Sequence, residues 1–192
     1  MDAIVSVFER FFSDYDRWFE THGEVYAEQI ELLRKNISAG TGQMLEIGVG
    51  SGRFASRLGI RHGIDPSVRL LAMARDRGVE PVLGVGEFLP YRNGAFDGVL
   101  MMTVICFMED FTRSFHEAFR VLRPGGKLIV AFMEKGGEIA IQEEGSAGRF
   151  LRYAEFHSAG EVTAALTGAG FAGVSIGESL HGLCMITAKR VI

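Results

Sequence analysis

The chain has 192 residues, 47% of them hydrophobic and 23% charged, with a net charge of -4; it can bury a full core as one domain without disulfide or metal staples, and it lacks the basic excess of a nucleic-acid binder. Its two cysteines, Cys106 and Cys184, match no zinc or redox spacing, and its five histidines are dispersed, so no metal site is expected. The acidic start Met1-Asp2-Ala3 is unlike a secretory leader and no run reaches the roughly 20 apolar residues of a membrane span, so a soluble, cytoplasmic protein with no membrane or nucleic-acid partner is expected.

Over the first 38 residues, Phe8, Phe11, Phe12, Tyr15, Trp18, Phe19, Tyr26, Ile30 and Leu33 follow a helical period. The pattern predicts two helices meeting near Thr21-His22-Gly23. From Gln43 onward, short apolar runs alternate with amphipathic segments. Met44–Ile47 reads as a strand, 54–58 as part of a helix, 60–64 as a strand, and 66–77 as a helix with Pro66 at its front. Residues 81–83 form a third short strand. Phe96–Met102 forms a fourth, apolar enough to be covered on both faces. An amphipathic helix over 111–122 is closed by an Arg123-Pro124-Gly125-Gly126 turn before a strand over 127–132. Residues 134–155 are the least patterned and predict a mobile segment or lid. Ser158 with Glu161 makes a capping box for a helix over 159–166, and Phe171–Ile176 and 183–188 are strands joined by a turn containing Gly182.

Alternating strands and helices dictate a parallel sheet covered on both faces, and the short final turn makes the last two strands antiparallel. The expected fold is α/β: a doubly wound, mostly parallel seven-stranded sheet of Rossmann-like type, with one antiparallel strand near the C-terminus. It forms a single domain over 1–192, with an N-terminal helical cap or lid over 1–38, a core over 43–133, the mobile segment over 134–155 and a C-terminal helix and strand pair over 156–192. Ligands of such sheets bind beyond the strand C-terminal ends, where the strand order reverses. After the first strand come Gly48-Val49-Gly50-Ser51-Gly52, a G-x-G-x-G loop whose glycines allow close backbone approach. Arg53 stands where a dinucleotide fingerprint would have its last glycine, which disfavours a nicotinamide oxidoreductase. Asp65, ending the next strand, is near the spacing at which an acid grips ribose hydroxyls. A ligand-free glycine connection and a helix-capping Asp are the plainer readings of the same residues.

These segments resemble the class I S-adenosylmethionine-dependent methyltransferases, of the small-molecule, methyltransferase domain 11-like type. Leu45 to Gly52 is similar to the family's first motif and Gly63 to Pro66 to its ribose motif. Gly84 to Pro90 with Phe96-Asp97 is similar to its adenine region, and Arg120-Val121-Leu122-Arg123-Pro124-Gly125-Gly126-Lys127-Leu128 to its signature before the fifth strand. The resemblance implies an enzyme that moves a methyl group from S-adenosylmethionine to a small N- or O-acceptor by in-line displacement, with 43–133 as the cofactor-binding core. Gly48, Gly50 and Gly52 would line the methionine part, Glu46 would help orient its ammonium, and Asp65 with Pro66 would hold the ribose. Many relatives carry an adenine-binding Asp where this chain has Val85, so adenine recognition would rest on the backbone at Gly86 and Glu87 and on packing by Phe88. Thr103, after the fourth strand, would border the cofactor.

Relatives often have a His pair where Cys106 and Phe107 stand, so no histidine base is assigned. Substrate-positioning candidates are Tyr15, Trp18, Thr103 and Cys106, although an unpaired Cys is more often a small buried hydrophobe. Tyr15-Asp16-Arg17-Trp18-Phe19 resembles a Tyr-Asp-x-Trp segment placed over cofactor and substrate in some small-molecule methyltransferases. The segment puts Tyr15 and Trp18 at the pocket mouth as a lid, with Phe8, Phe11 and Phe12 in the core; the alternative is a purely structural aromatic stripe. A catalytically silent cofactor-binding module, acting as sensor or partner subunit, is the alternative to the enzyme.

Overall fold

The structure is a computed structural model that describes residues 2–37, 42–145 and 148–191, with the backbone alone at Asp2 and 142–145. Seven strands form one sheet in the order β3-β2-β1-β4-β5-β7-β6. They are β1 (Met44–Ile47), β2 (His62–Asp65), β3 (Glu80–Leu83), β4 (Phe96–Met102), β5 (Leu122–Met133), β6 (Phe171–Ile176) and β7 (Leu183–Arg190). The first five are parallel, and β7 runs antiparallel to both β5 and β6. The chain steps from β1 outward to β3, then returns to place β4 on the other side of β1. The switch point therefore lies over the C-terminal ends of β1 and β4.

Eight helices are described: α1 (Asp2–Arg10), α2 (Phe12–Thr21), α3 (Gly23–Asn36), α4 (Arg53–Leu58), α5 (Val68–Asp76), α6 (Phe111–Val121), α7 (Glu138–Gly145) and α8 (Ala159–Gly168). Successive strand residues face opposite sides, so β4 divides its side chains between two cores. Val99 and Met101 pack with Phe115 of α6 and Leu166 of α8, while Leu100 and Met102 pack with Ile30 and Leu33 of α3 and with Phe54 of α4.

Several boundaries differ from the sequence reading, each for a local reason. The N-terminal segment holds three helices, because the backbone leaves helical geometry at Phe11 (φ -118°, ψ 28°). Phe8, Phe11 and Phe12 are half-buried and stay out of the main core; Arg149 covers the ring of Phe11 and Arg69 that of Phe12, while Phe19 and Tyr26 supply the buried rings. Helix α5 begins at Val68 because the Ser67 side chain accepts from the amide of Leu70, which leaves Pro66 outside the helix. The turn at 123–126 is a loop-out within β5, since Leu122 pairs with Phe96 and pairing resumes at Lys127 opposite Gly98. The Ser158 and Glu161 capping box is present. Of the segment read as mobile, 146–147 lie outside the described residues, and the described part contains α7 and a short 3-10 turn at Leu151–Tyr153.

Candidate active site

After Ile47 the chain must turn sharply, and the three glycines take left-handed conformations: φ is 75° at Gly48, 51° at Gly50 and 77° at Gly52. A Cβ on Gly48 would overlap Val104, and one on Gly50 would meet the ring and hydroxyl of Tyr15. Asp65 fixes the loop from the neighbouring strand. Its Oδ2 accepts from the Gly50 amide and its Oδ1 from the Ser67 amide, both at 2.9 Å. Each oxygen keeps a lone pair for a further donor. Burial pushes the Asp65 carboxyl up to about 6, against the pull of the two amides, with Glu9 adding to the rise.

Over these strand ends lies a cavity of about 660 Å³, within the range of small-molecule sites. It runs from Asp65 and the Gly84–Glu87 segment, past the glycine loop and Thr103, to Met133 on β5 and Leu183 on β7. Aromatic rings roof it. Phe8 of α1 touches Tyr15, Phe107 and Phe150, with ring centroids 5.1 to 5.3 Å apart. Burial, followed by the charges of Asp65, Glu46 and Asp16, pushes the Tyr15 phenol above its ordinary value. The phenol therefore keeps its proton and can donate a hydrogen bond into the cavity.

Tyr15, Trp18, Gly48, Gly50, Asp65, Pro66, Gly86, Glu87 and Thr103 line the cavity; Glu46, Gly52, Phe88 and Cys106 do not. Glu46 is 1% exposed beside the amide of Ala55; burial drives its carboxyl well up, and Oε2 has no hydrogen-bond partner among the described residues. Gly52 packs the loop on Ala74 of α5. Phe88 is 62% exposed, with the Arg113 guanidinium 3.9 Å above its ring. Cys106 is buried in the core, its thiol pushed up to about 12 by burial and directed at the Thr103 carbonyl. Asp97, assigned by resemblance to the adenine region, sits at the opposite end of β4, bound to Arg123 and the Gln43 amide.

Two features went unread in the sequence. Asp16 on α2 is buried between Arg53 (2.5 Å) and Arg77 (2.8 Å), and Arg77 also donates to the Ser51 carbonyl, so the clamp ties α2 to the glycine loop and α5. Partners 37 and 61 residues away leave no local spacing signal. The second is Gln29 of α3, buried in the cavity wall; its one signal is a polar residue inside an apolar helical stripe.

The residues present fit S-adenosylmethionine: a glycine cradle that a Cβ would fill, a buried carboxylate with spare lone pairs, and aromatic rings over the loop. Among the described residues no group of three or more His, Cys, Asp or Glu could hold a metal ion. The methyltransferase domain family model matches residues 45–130. An uncharacterized protein of Methanocaldococcus jannaschii is 34% identical over 178 residues, 92% of this chain and 86% of that one. An uncharacterized protein of Mycobacterium tuberculosis is 37% identical over 172 residues, 87% of this chain, which spans 60% of that relative's length. A crystal structure from Thermotoga maritima, described as "SAM-dependent methyltransferase, possible histamine N-methyltransferase", matches with a TM-score of 0.90 at 32% identity, covering 96% of this chain and 99% of that one. Kinship at that identity, along nearly the whole length of both chains, means that this chain belongs to the class I S-adenosylmethionine-dependent methyltransferases, an enzyme whose cofactor is S-adenosylmethionine.

Proposed function

We propose that the methyl acceptor is a small molecule, methylated at nitrogen or oxygen by in-line displacement. The observation that carries this reading is the aromatic-roofed cavity of about 660 Å³, a size suited to a cofactor beside a compact acceptor. In this reading the backbone at Gly48 and Gly50 holds the methionine end, and Asp65 accepts from the ribose hydroxyls. Pro66 and the Gly86 and Glu87 backbone flank the adenine, and Tyr15 and Thr103 border the reacting methyl. Glu46 and Gly52 act from beneath, as positioning residues for the loop. Phe88 and Cys106, outside the cavity wall, have no part in it.

Bound there, S-adenosylmethionine would supply an electron-poor methyl group on a sulfonium whose leaving group is a neutral thioether. The demand on the protein is then alignment and exclusion of water, and alignment alone supplies up to roughly 7–11 kcal/mol. Tyr15, Trp18 and Phe107 provide ring faces that attract a cationic or electron-poor group. The Thermotoga maritima relative, described as a "possible histamine N-methyltransferase", supports the same reading. A cytoplasmic setting belongs to this proposal; no described helix is long and apolar enough to cross a membrane.

The test is incubation with S-adenosylmethionine and a panel of small amines, phenols and carboxylic acids, following S-adenosylhomocysteine release and product mass. One methylated small molecule is the expected result. Methylation confined to protein or RNA would overturn the small-molecule reading.

A further inference from the structure

Helix α3 presents Tyr26, Ile30 and Leu33 to the sheet. Gln29 lies in the same stripe, three residues after Tyr26 and four before Leu33, where helical geometry calls for an apolar side chain. It is 6% exposed and lines the cavity, yet its amide makes no hydrogen bond among the described residues. The amide is not sealed in a dry core; it opens onto the cavity, where solvent or a ligand meets it. The cavity wall on this side is mostly apolar, with Val25, Met102, Met133, Ile139 and Leu183, and His22, Glu138 and His181 are polar members of the same lining. It belongs to the β4, β5 and β7 end; β5 lies three strand spacings, about 14 Å, from the β2 strand that carries Asp65.

We infer that Gln29 is the specificity-determining residue of the acceptor chamber, its amide hydrogen-bonding a neutral polar group (a hydroxyl, carboxamide or azole) on an otherwise apolar acceptor. The inference rests on the small-molecule reading above. A carboxamide offers two donors and one acceptor oxygen but no charge, so it completes a neutral polar group and leaves an ammonium without a counter-charge. Of the carboxylates near this end, Glu28 pairs with His181, Asp14 pairs with Arg149 and Arg17, and Glu138 lines the cavity from its solvent-exposed rim.

The test compares the wild type with Gln29→Met, which keeps side-chain length and removes the hydrogen bonds, and with Gln29→Leu as a second variant. With S-adenosylhomocysteine saturating, NMR titration measures benzyl alcohol, benzamide, benzylammonium and ethylbenzene, four probes sharing one apolar body. The wild type is expected to bind the first two at least about 10-fold more tightly than the last two. Both variants should erase that preference, bind S-adenosylhomocysteine within about 2-fold of the wild type, and melt close to it, because the substitutions break no hydrogen bond among the described residues. A preference that survives in the variants, a wild type that binds benzylammonium best, or a loss of several degrees in both variants overturns the inference alone. If S-adenosylhomocysteine binds and none of the four probes does, the small-molecule reading fails, and the inference with it.

Discussion

Both oxygens of Asp65 already accept a backbone amide, so replacing this residue loosens the glycine loop and removes the proposed ribose acceptor together. Asp65→Ala is expected to weaken S-adenosylhomocysteine binding about 10- to 100-fold by calorimetry, the worth of one or two hydrogen bonds to a charged group. The pH dependence has a definite sign. The carboxyl titrates near 6 in the folded protein against 3.8 as a free group, so between those values the folded state holds a proton that the unfolded state has lost. Its contribution to stability therefore falls by about 3 kcal/mol as pH rises through that window and is constant above it. Ligand affinity moves the other way, since the ribose needs the ionised form. The S-adenosylhomocysteine Kd should rise as pH drops below about 6 and stay flat in Asp65→Asn. Val85 lines the cavity beside Gly86, and Val85→Asp is expected to tighten binding of the same ligand severalfold by adding an acceptor for the adenine amino group; an unchanged Kd would show that the backbone already suffices. Gly48, Gly50 and Asp65 were legible in the sequence because left-handed backbone and a strand-end acid leave a mark in residue type. Asp16 and Gln29 were not, since what sets them apart is a partner found, or not found, only after folding.

At the scale of elements, α2 is bound to the body of the protein. Burial opposes the Asp16 charge, but Arg53 and then Arg77 outweigh it and hold the carboxyl below the usual carboxylate range. Asp16→Ala leaves two largely buried guanidinium groups without their shared partner and is expected to cost about 3 kcal/mol, or roughly 6–12 °C in melting temperature for a chain of this size. It should weaken cofactor binding as well, because Arg77, which donates to the Ser51 carbonyl of the loop, then loses the carboxylate that fixes its guanidinium. The clamp ties the part of the N-terminal cap that carries Tyr15 and Trp18 to the body of the protein. Deleting 1–20 removes Asp16 and the buried Phe19, so stability and turnover should fall together. Deleting 1–10 removes α1, whose Phe8 roofs the cavity and whose one buried apolar residue is Val7; turnover should fall far more than thermal stability, and calorimetry with a turnover assay on both truncations separates the cases. The helix break at Phe11 was illegible because the aromatic period runs unbroken through it. The start of α5 was misread because Pro66 masks the cap formed by Ser67.

For the molecule as a whole, the ligand site and the fold share one set of contacts, so occupancy should register in global stability. At 100 times its Kd, S-adenosylhomocysteine is expected to add about 2.7 kcal/mol, a rise in melting temperature of roughly 5–11 °C, whereas NAD at the same concentration should add nothing measurable. The sheet was readable throughout because buried strands and their connections impose a period, and the short final turn fixed the direction of β7. The position of β7 was hidden, since which strand neighbours which is settled by long-range packing. That position governs when the site can exist. Strand β7 follows β6 in the chain yet lies between β5 and β6, so β6 has no sheet partner until β7 is inserted. Leu183 in the cavity wall and the contact of His181 with Glu28, 153 residues away, arrive with that step. Such distant closures are slow, because the entropy of joining them comes before any reward in contacts. A refolding chain should therefore acquire the glycine loop and Asp65 before the acceptor chamber. Pulse-labelled hydrogen exchange should find the β1 and β4 amides protected early and those of β7 last, giving a transient protein that can hold a nucleoside but has nowhere yet to put the molecule it will methylate.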